Sequence, residues 1–219
     1  MKPRGLCLVL SAPSGGGKTT LIREMLRRFK NLRHSISYTT RSPRNEADDQ
    51  SAYHFISDTA FRQMIDEDRM LEWAEVHGKL YGTSADDLEE LLSLGYDVAM
   101  DIDVQGAIQL RDRLREAVYV FIVPPSMEEL ERRLRNRRSE TEENLRRRLT
   151  NARREIKYLD EYDYVVVNDE LDEAIDHLRS ILIAEHLSTS RQEVLENVRT
   201  CLKGNENAAK EAGRLVKQY

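Results

Sequence analysis

Leu6-Cys7-Leu8-Val9-Leu10-Ser11-Ala12-Pro13-Ser14-Gly15-Gly16-Gly17-Lys18-Thr19-Thr20 runs from an apolar stretch through a glycine-rich turn into a helical pattern. Backbone N–H groups at a helix N-terminus can wrap an anionic triphosphate, and glycines let the backbone come close to it. Lys18 is then placed to reach the β- and γ-phosphates, and the Thr19 hydroxyl to sit on Mg²⁺. The usual pattern is G-x-x-x-x-G-K-[ST]; Ala12 stands in the first glycine position, a departure by a single methyl group. A glycine-rich strand-to-helix turn without a ligand has no need of Lys-Thr at that place.

Outward from this loop, strands and helices alternate. Leu21, Ile22, Met25, Leu26 and Phe29 recur at helical spacing, the pattern of an amphipathic helix on a sheet. His34 to Thr39 reads as extended, Ser42-Pro43 breaks the chain, and Asn45 to Ala52 is a polar, acidic loop. Tyr53 to Ile56 reads as a strand, and Asp58 as the cap of a helix through Phe61, Met64 and Ile65. Met70 to His77 is extended or partly helical and ends at Gly78. Ser84 caps a helix that stops at Gly95; the strand Tyr96 to Asp103 follows, then a helix to about Arg115. Val118 to Val123 is a near-continuous apolar strand closed by Pro124-Pro125, and Tyr164 to Val167 is the last one, before a helix from about Glu170 to Leu187. Strands apolar throughout and separated by helices predict a parallel sheet covered on both faces, with ligands beyond the strand C-terminal ends. The 12–19 loop, Asp101, Asp103 and Asn168 fall at such ends.

The 219 residues suggest one domain, or one domain with small insertions. A 40% hydrophobic and 33% charged composition is that of an ordinary globular protein, and the net charge of -5 does not favour a nucleic-acid backbone. Cys7 and Cys201 are far apart and suggest neither a disulfide framework nor a zinc site. No apolar run approaches the length of a membrane span or a signal peptide, so a cytoplasmic location is expected.

Arg41 and Arg44 flank a proline turn, and guanidinium forks match phosphate oxygens bidentately. Tyr53 and Tyr81 add hydroxyl donors. Taken singly, the arginines also read as surface charges, the tyrosines as half-buried packing, and Glu72 as an acid beside Trp73.

Taken together, seven pieces in order resemble the guanylate kinases: 11–19, Ser-Tyr-Thr-Thr-Arg-Ser-Pro-Arg (37–44), Leu-Glu-Trp-Ala (71–74), Tyr-Gly-Thr (81–83), Asp-Ile-Asp-Val-Gln-Gly (101–106), Pro-Pro-Ser (124–126) and Val-Asn-Asp (167–169). Many members of that family also have Ala where Ala12 stands. The resemblance implies an α/β fold, a P-loop NTPase-type parallel sheet flanked by helices, with a GMP-binding insertion and a helical lid. Residues 1–36, 85–125 and 159–187 would form the core, 37–84 the GMP-binding region, 126–158 the lid and 188–219 a C-terminal helical extension. The implied reaction is Mg²⁺-dependent transfer of the ATP γ-phosphoryl group to GMP. Ala12, Pro13, Ser14, Gly15, Gly16, Gly17, Lys18, Thr19, Thr20, Arg133, Arg137 and Asn168 would bind ATP, Asn168 at the adenine. Arg41, Arg44, Tyr53 and Tyr81 would hold the GMP phosphate, and Ser37, Glu72 and Thr83 would read the guanine. Asp101 would lie with Thr19 near Mg²⁺ and its waters, and Asp103 near the GMP sugar or base edge; Asp103 could equally cap the next helix. Lys18, Arg41, Arg137 and Arg148 would be catalytic.

Guanine presents N1–H and an exocyclic NH₂ side by side, two donors suited to one carboxylate. Adenine has the reverse polarity there, and a buried Glu72 facing it would be left unpaired. Arginines crowd 132–154, but Glu128, Glu129, Glu131, Glu140, Glu142, Glu143 and Glu155 are interleaved as on a solvated helix, with no aromatic residues to stack bases. No nucleic acid and no membrane is expected as a partner.

The chain departs from the family at 45–52, where the usual glycines are absent and Glu46 is offset, and at Arg138, which replaces a common Gly. Val194, Val198, Cys201 and Leu202 fall on one helical stripe, suited to packing on the core or to a homo-oligomer contact. A non-catalytic interaction module is opposed by Lys18, Arg137 and Arg148. A kinase for a sugar phosphate such as ribose bisphosphate is opposed by Ser37, Glu72 and Thr83.

Overall fold

The computed structural model describes residues 3–43, 53–76, 78–136 and 141–189. In chain order the first half contains β1 (Cys7–Ser11), α1 (Lys18–Arg28), β2 (Leu32–His34), β3 (Ser37–Thr39), β4 (Tyr53–Phe55), α2 (Asp58–Asp66), β5 (Met70–Val76), β6 (Lys79–Ser84) and α3 (Ala85–Ser93). The second half contains β7 (Asp97–Asp101), α4 (Val104–Arg113), β8 (Val118–Val123), α5 (Met127–Arg135), α6 (Glu142–Glu155), a 3-10 turn (Ile156–Glu161), β9 (Tyr164–Val167) and α7 (Leu171–Leu187). The chain divides into two compact units, Met1–Arg179 and Ser180–Tyr219. Of the second unit, residues 180–187 are the end of α7.

In the first unit, five parallel strands lie in the order β2-β7-β1-β8-β9. β1 is central, and Leu8, Val9 and Leu10 are fully buried. That explains the unbroken apolar run of the sequence: a strand covered on both faces has no solvated side to alternate with. On one face Cys7 and Val9 pack with Val98, Met100, Leu88, Leu92 and Leu110. The C-terminal ends of β1, β7 and β9 carry the glycine loop, Asp101 and Asn168, the edge where open parallel sheets bind ligands.

A second sheet, order β4-β3-β6-β5, differs from the single parallel sheet that the sequence pattern predicts. β3 runs parallel to β4 and antiparallel to β6, and β5 and β6 form an antiparallel hairpin. The extended stretch around 34–39 is thereby two strands in two sheets. Residues 70–76 are strand rather than helix, and 79–84, without an expected element, is its partner. One face of this sheet carries Phe61, Met64, Met70 and Leu80 in a small core of its own.

Helix starts follow local side-chain chemistry. Ser84, Ser126, Thr141 and Asp103 each accept from the N–H three residues on, satisfying an orphan donor of the first turn. At α2 the cap is Ser57, not Asp58, which instead is an acid in the first turn. Leu130, Leu134, Leu145 and Ala152 join α5 and α6 in a further apolar cluster. Their outer faces carry the arginine–glutamate pairs that the sequence implies, Arg132 and Arg133 with Glu129, and Arg135 with Glu131 and Glu142. No helix among the described residues is long and apolar enough to cross a membrane.

Candidate active site

The loop after β1 is shaped by its glycines. Gly15 and Gly17 sit at φ +93 and +92, left-handed values that side chains resist, and Gly17 caps α1. A Cβ on Gly17 would lie 2.1 Å from Asn168 Nδ2, and one on Gly15 would lie 2.8 Å from Leu134 of α5. The Gly16 N–H closes a turn onto the Pro13 carbonyl at 2.8 Å. Thr19 and Thr20 are exposed in the first turn of α1.

The Lys18 ammonium lies 2.5 Å from Asp101 Oδ1 and donates to the Ile102 carbonyl at 2.9 Å. The residue read as a phosphate contact and the residue read as a metal-site acid are thus partners of each other across β1 and β7. Arg148 on α6 donates from Nε to Ser14 Oγ at 3.0 Å, and Arg133 on α5 comes within 4.0 Å of the position a Gly17 Cβ would take. Asn168, the residue read as the adenine contact, lies at the end of β9 beside the loop. It is 8% exposed, and its Nδ2 donates to the Gly16 carbonyl at 2.8 Å, tying the end of β9 to the loop.

The second cluster is built by strand register. Ser37 pairs with Tyr53 across β3 and β4, and Glu72 with Thr83 across β5 and β6. Tyr38 pairs with Gly82, so Ser37 and Thr83 follow in the same register. Directly opposite residues share a face, so Tyr53, Ser37, Thr83 and Glu72 form one row over four strands. Tyr81, two residues before Thr83, joins that face, with its ring 5.9 Å from the Tyr53 ring. An irregularity in β5 makes this possible. Met70 pairs with Ser84, but Glu72 pairs with Thr83, so Leu71 is an extra residue. Without that bulge Glu72 would share the buried face of Met70; with it, the carboxylate turns to the polar face.

Thr83 Oγ1 donates to Glu72 Oε1 at 2.7 Å. Burial pushes the Glu72 carboxyl above the usual carboxylate range, the Thr83 hydroxyl pulls it down, and Asp103 pushes it up again. Ser37, Tyr53, Glu72, Tyr81, Asp101 and Asp103 line one cavity of about 270 Å³. An adjoining cavity of about 240 Å³ reaches Thr83 and His34. Asp103 also caps α4, its Oδ1 accepting from the Gly106 N–H at 2.8 Å, so both roles open to it in the sequence are compatible. Arg41 places its guanidinium 5.7 Å from the Tyr53 ring centroid and 5.5 Å from that of Phe55, beside the row. Arg44, Arg137, Arg138, the 45–52 loop and the stripe from Val194 to Leu202 lie outside the described residues.

Two residues near these sites were not singled out by the sequence. His34, at the end of β2, has a buried Nε2 without a hydrogen-bond partner among the described residues. Burial lowers its pKa while Asp101 raises it. Glu155, read as one of the interleaved surface acids, has a buried Oε2 likewise without a partner among the described residues. The one signal available was its place at the C-terminal end of a helix, where an acid opposes the macrodipole.

A glycine loop on the central strand of a parallel sheet, with a second polar cleft meeting it at Asp101, defines a P-loop kinase. A family model described as "Guanylate kinase" matches residues 4–185. Guanylate kinases of Geobacter sulfurreducens and Geobacter metallireducens are 50% and 48% identical to this chain, over 87% and 90% of it and 94% and 97% of their own lengths. The crystal structure of guanylate kinase from Anaplasma phagocytophilum matches with a TM-score of 0.69 at 35% identity, covering 90% of this chain and 94% of that one. The chain belongs to the guanylate kinase family, and with it to the nucleoside monophosphate kinases.

Proposed function

We propose that this chain transfers the γ-phosphoryl group of ATP to GMP, giving ADP and GDP, with the glycine loop holding ATP and the Glu72 row holding GMP. The observation that carries this reading is the half-buried Glu72 carboxylate, oriented by Thr83 in a cavity that ends at Asp101, the partner of Lys18. A carboxylate with one oxygen on Thr83 keeps acceptor capacity for the N1–H and NH₂ of guanine. Ser37 supplies a hydroxyl in the same row, and Arg41, Tyr53 and Tyr81, together with Arg44, supply donors for the monophosphate.

Phosphoryl transfer asks little covalent chemistry of the protein and much charge stabilisation. Lys18 leaves Asp101 and takes the β/γ-phosphates, and Arg148 leaves the Ser14 hydroxyl for the migrating group, joined by Arg133 and Arg137. Asn168 keeps the loop carbonyl of Gly16 turned away from the phosphates. Thr19 and Asp101 would hold Mg²⁺, their two oxygen donors being of the kind that ion takes. No cluster of three or more His, Cys, Asp or Glu among the described residues forms an all-protein metal cage. When bound, Mg²⁺ supplies neutralisation of phosphate charge.

In this reading 37–84 is the GMP-binding region and 126–158 the lid, and closure of both excludes water. The same reading sets the protein in the cytoplasm. The test is ADP formation from ATP and Mg²⁺ with GMP, AMP, CMP, UMP and ribose bisphosphate in parallel. Turnover with GMP alone supports the proposal. Turnover only with the sugar phosphate keeps the P-loop and overturns the base site; none with any acceptor overturns the enzyme reading.

A further inference from the structure

We propose that Tyr38 and Asp87 are positioning residues for GMP, a side-chain cross-link between the chain's entry into the second sheet and its exit that holds Ser37 and Thr83 in place for the base; this rests on the reading of Ser37, Glu72 and Thr83 as guanine contacts. In the order of elements, the chain enters that sheet between β2 and β3 and leaves it between β6 and α3. Tyr38 lies in β3, just past the entry, and Asp87 in the first turn of α3, just past the exit. The Tyr38 hydroxyl donates to Asp87 Oδ2 at 2.9 Å. The Asp87 N–H in turn donates to Ser84 Oγ, at the end of β6, at 3.2 Å. Ser37 precedes Tyr38 and Thr83 precedes Ser84, so the cross-link sits directly behind two of the residues read as base contacts.

Local needs do not account for this bond. Tyr38 lies on the face opposite Ser37 and packs against the cluster of Phe61, Met64, Met70 and Leu80, where a phenylalanine ring would serve as well. Asp87 is an acid in a first turn, where the macrodipole favours one in any orientation. The two groups nevertheless meet across two elements. His54, opposite Tyr38 on β4, lies against its ring with centroids 4.7 Å apart, and His54 Nε2 is 4.0 Å from the same Oδ2. Burial and Asp87 push the Tyr38 hydroxyl up to about 12, so it stays a donor at neutral pH. Each crossing is fixed to the parallel core on its other side. Leu88 and Leu92 of α3 pack with Val98 and Met100 of β7, and the Ser35 N–H donates to the Ala99 carbonyl of β7 at 3.0 Å. A sheet joined to a core by two chain crossings can shift each of them separately; a bond between the crossings makes them move as one. Ser37 and Thr83 then keep their spacing while the GMP region closes.

The test measures calorimetric GMP binding and steady-state kinetics in Tyr38→Phe, Asp87→Ala, the double variant and Asp87→Asn. Tyr38→Phe and Asp87→Ala should each weaken GMP binding and raise KM for GMP about three- to tenfold, the scale of one lost hydrogen bond, while KM for ATP stays within about twofold. The double variant should be no worse than either single one, because both remove the same bond. Asp87→Asn, which keeps an acceptor oxygen for the hydroxyl, should recover most of the GMP affinity. Should Asp87→Ala fail to fold, Tyr38→Phe set against Asp87→Asn carries the comparison. Losses that add in the double variant overturn the proposal. So does a parallel rise in both KM values with a lower Tm, shared by Asp87→Asn, which marks a merely structural role. Wild-type protein that binds GMP no better than Tyr38→Phe and Asp87→Ala overturns this inference alone. Wild-type protein that binds no GMP overturns the proposed function, and this inference with it.

Discussion

Replacing Glu72 by Gln changes one atom and should change both specificity and stability. In the wild type, Thr83 occupies Oε1 at 2.7 Å and the remaining lone pairs face the cavity. The amide has one acceptor oxygen and an NH₂ in place of the second. Guanine then loses a hydrogen bond to a charged group, about 1.5–3 kcal/mol, and meets a donor with its own donor, about 1–3 kcal/mol more. A combined loss of about 3–4 kcal/mol corresponds to a several-hundredfold fall in kcat/KM for GMP. AMP gains no penalty, so the GMP/AMP ratio of kcat/KM falls by the same factor. The sign of the stability effect is opposite. Burial raises the folded pKa of Glu72 above its unfolded value, so its contribution is fully present below the unfolded pKa and is lost as pH rises through the folded one. Near pH 7 the wild type therefore carries a desolvated charge that the amide lacks. Glu72→Gln should melt at higher temperature than wild type near pH 7, and the difference should shrink on acidification. Steady-state kinetics with both nucleotides and thermal melts from pH 4 to 8 read the two arms. A GMP/AMP ratio within about threefold of wild type would refute the assignment of Glu72 to the base.

Lys18→Ala should lower kcat by about 100- to 1,000-fold, the scale for removing one preorganised charge-stabilising donor, with GMP binding by calorimetry unchanged. The same substitution leaves Asp101 without its 2.5 Å partner. Asn168→Ala removes the 2.8 Å bond to the Gly16 carbonyl and should raise KM for ATP about three- to tenfold without moving KM for GMP. Gly17→Ala sets a Cβ at 2.1 Å from Asn168 Nδ2 on a left-handed backbone, whose conformational cost alone is about 1–2 kcal/mol. Its melting temperature should fall and ATP should protect it less; Gly78→Ala, with nothing within 4 Å of the added Cβ, is the control for φ alone. For Glu24 and Glu129, each held at about 2 by two arginines, the contribution is present above the unfolded pKa and lost as pH falls towards 2. Glu129→Gln should flatten the acid limb of the stability profile, read by thermal melts below pH 5.

The parallel core was legible because its strands are buried on both faces and separated by amphipathic helices, and each of those patterns is local. β6 was not legible. Lys79-Leu80-Tyr81-Gly82-Thr83-Ser84 is short, contains a glycine and follows a turn, and it is a strand because β3 and β5 flank it. For the same reason His34 and Ser37 looked like one extended segment, although the chain changes sheets between them. Asn168 was legible as a residue at a strand end but not as a ligand of the Gly16 carbonyl, since that contact joins positions 152 residues apart.

The sequence by itself determined the phosphate loop, the class of sheet and the residue types available for two nucleotides. These are matters of spacing, and spacing survives in a chain of any conformation. The tertiary structure alone decided how those residues meet. Lys18 and Asp101 become partners because β1 and β7 are neighbours in a sheet with β8 on the other side. Glu72 faces the cavity because one extra residue in β5 reverses the alternation after Met70. A bulge is a mismatch between two paired strands, so no period within one strand can announce it.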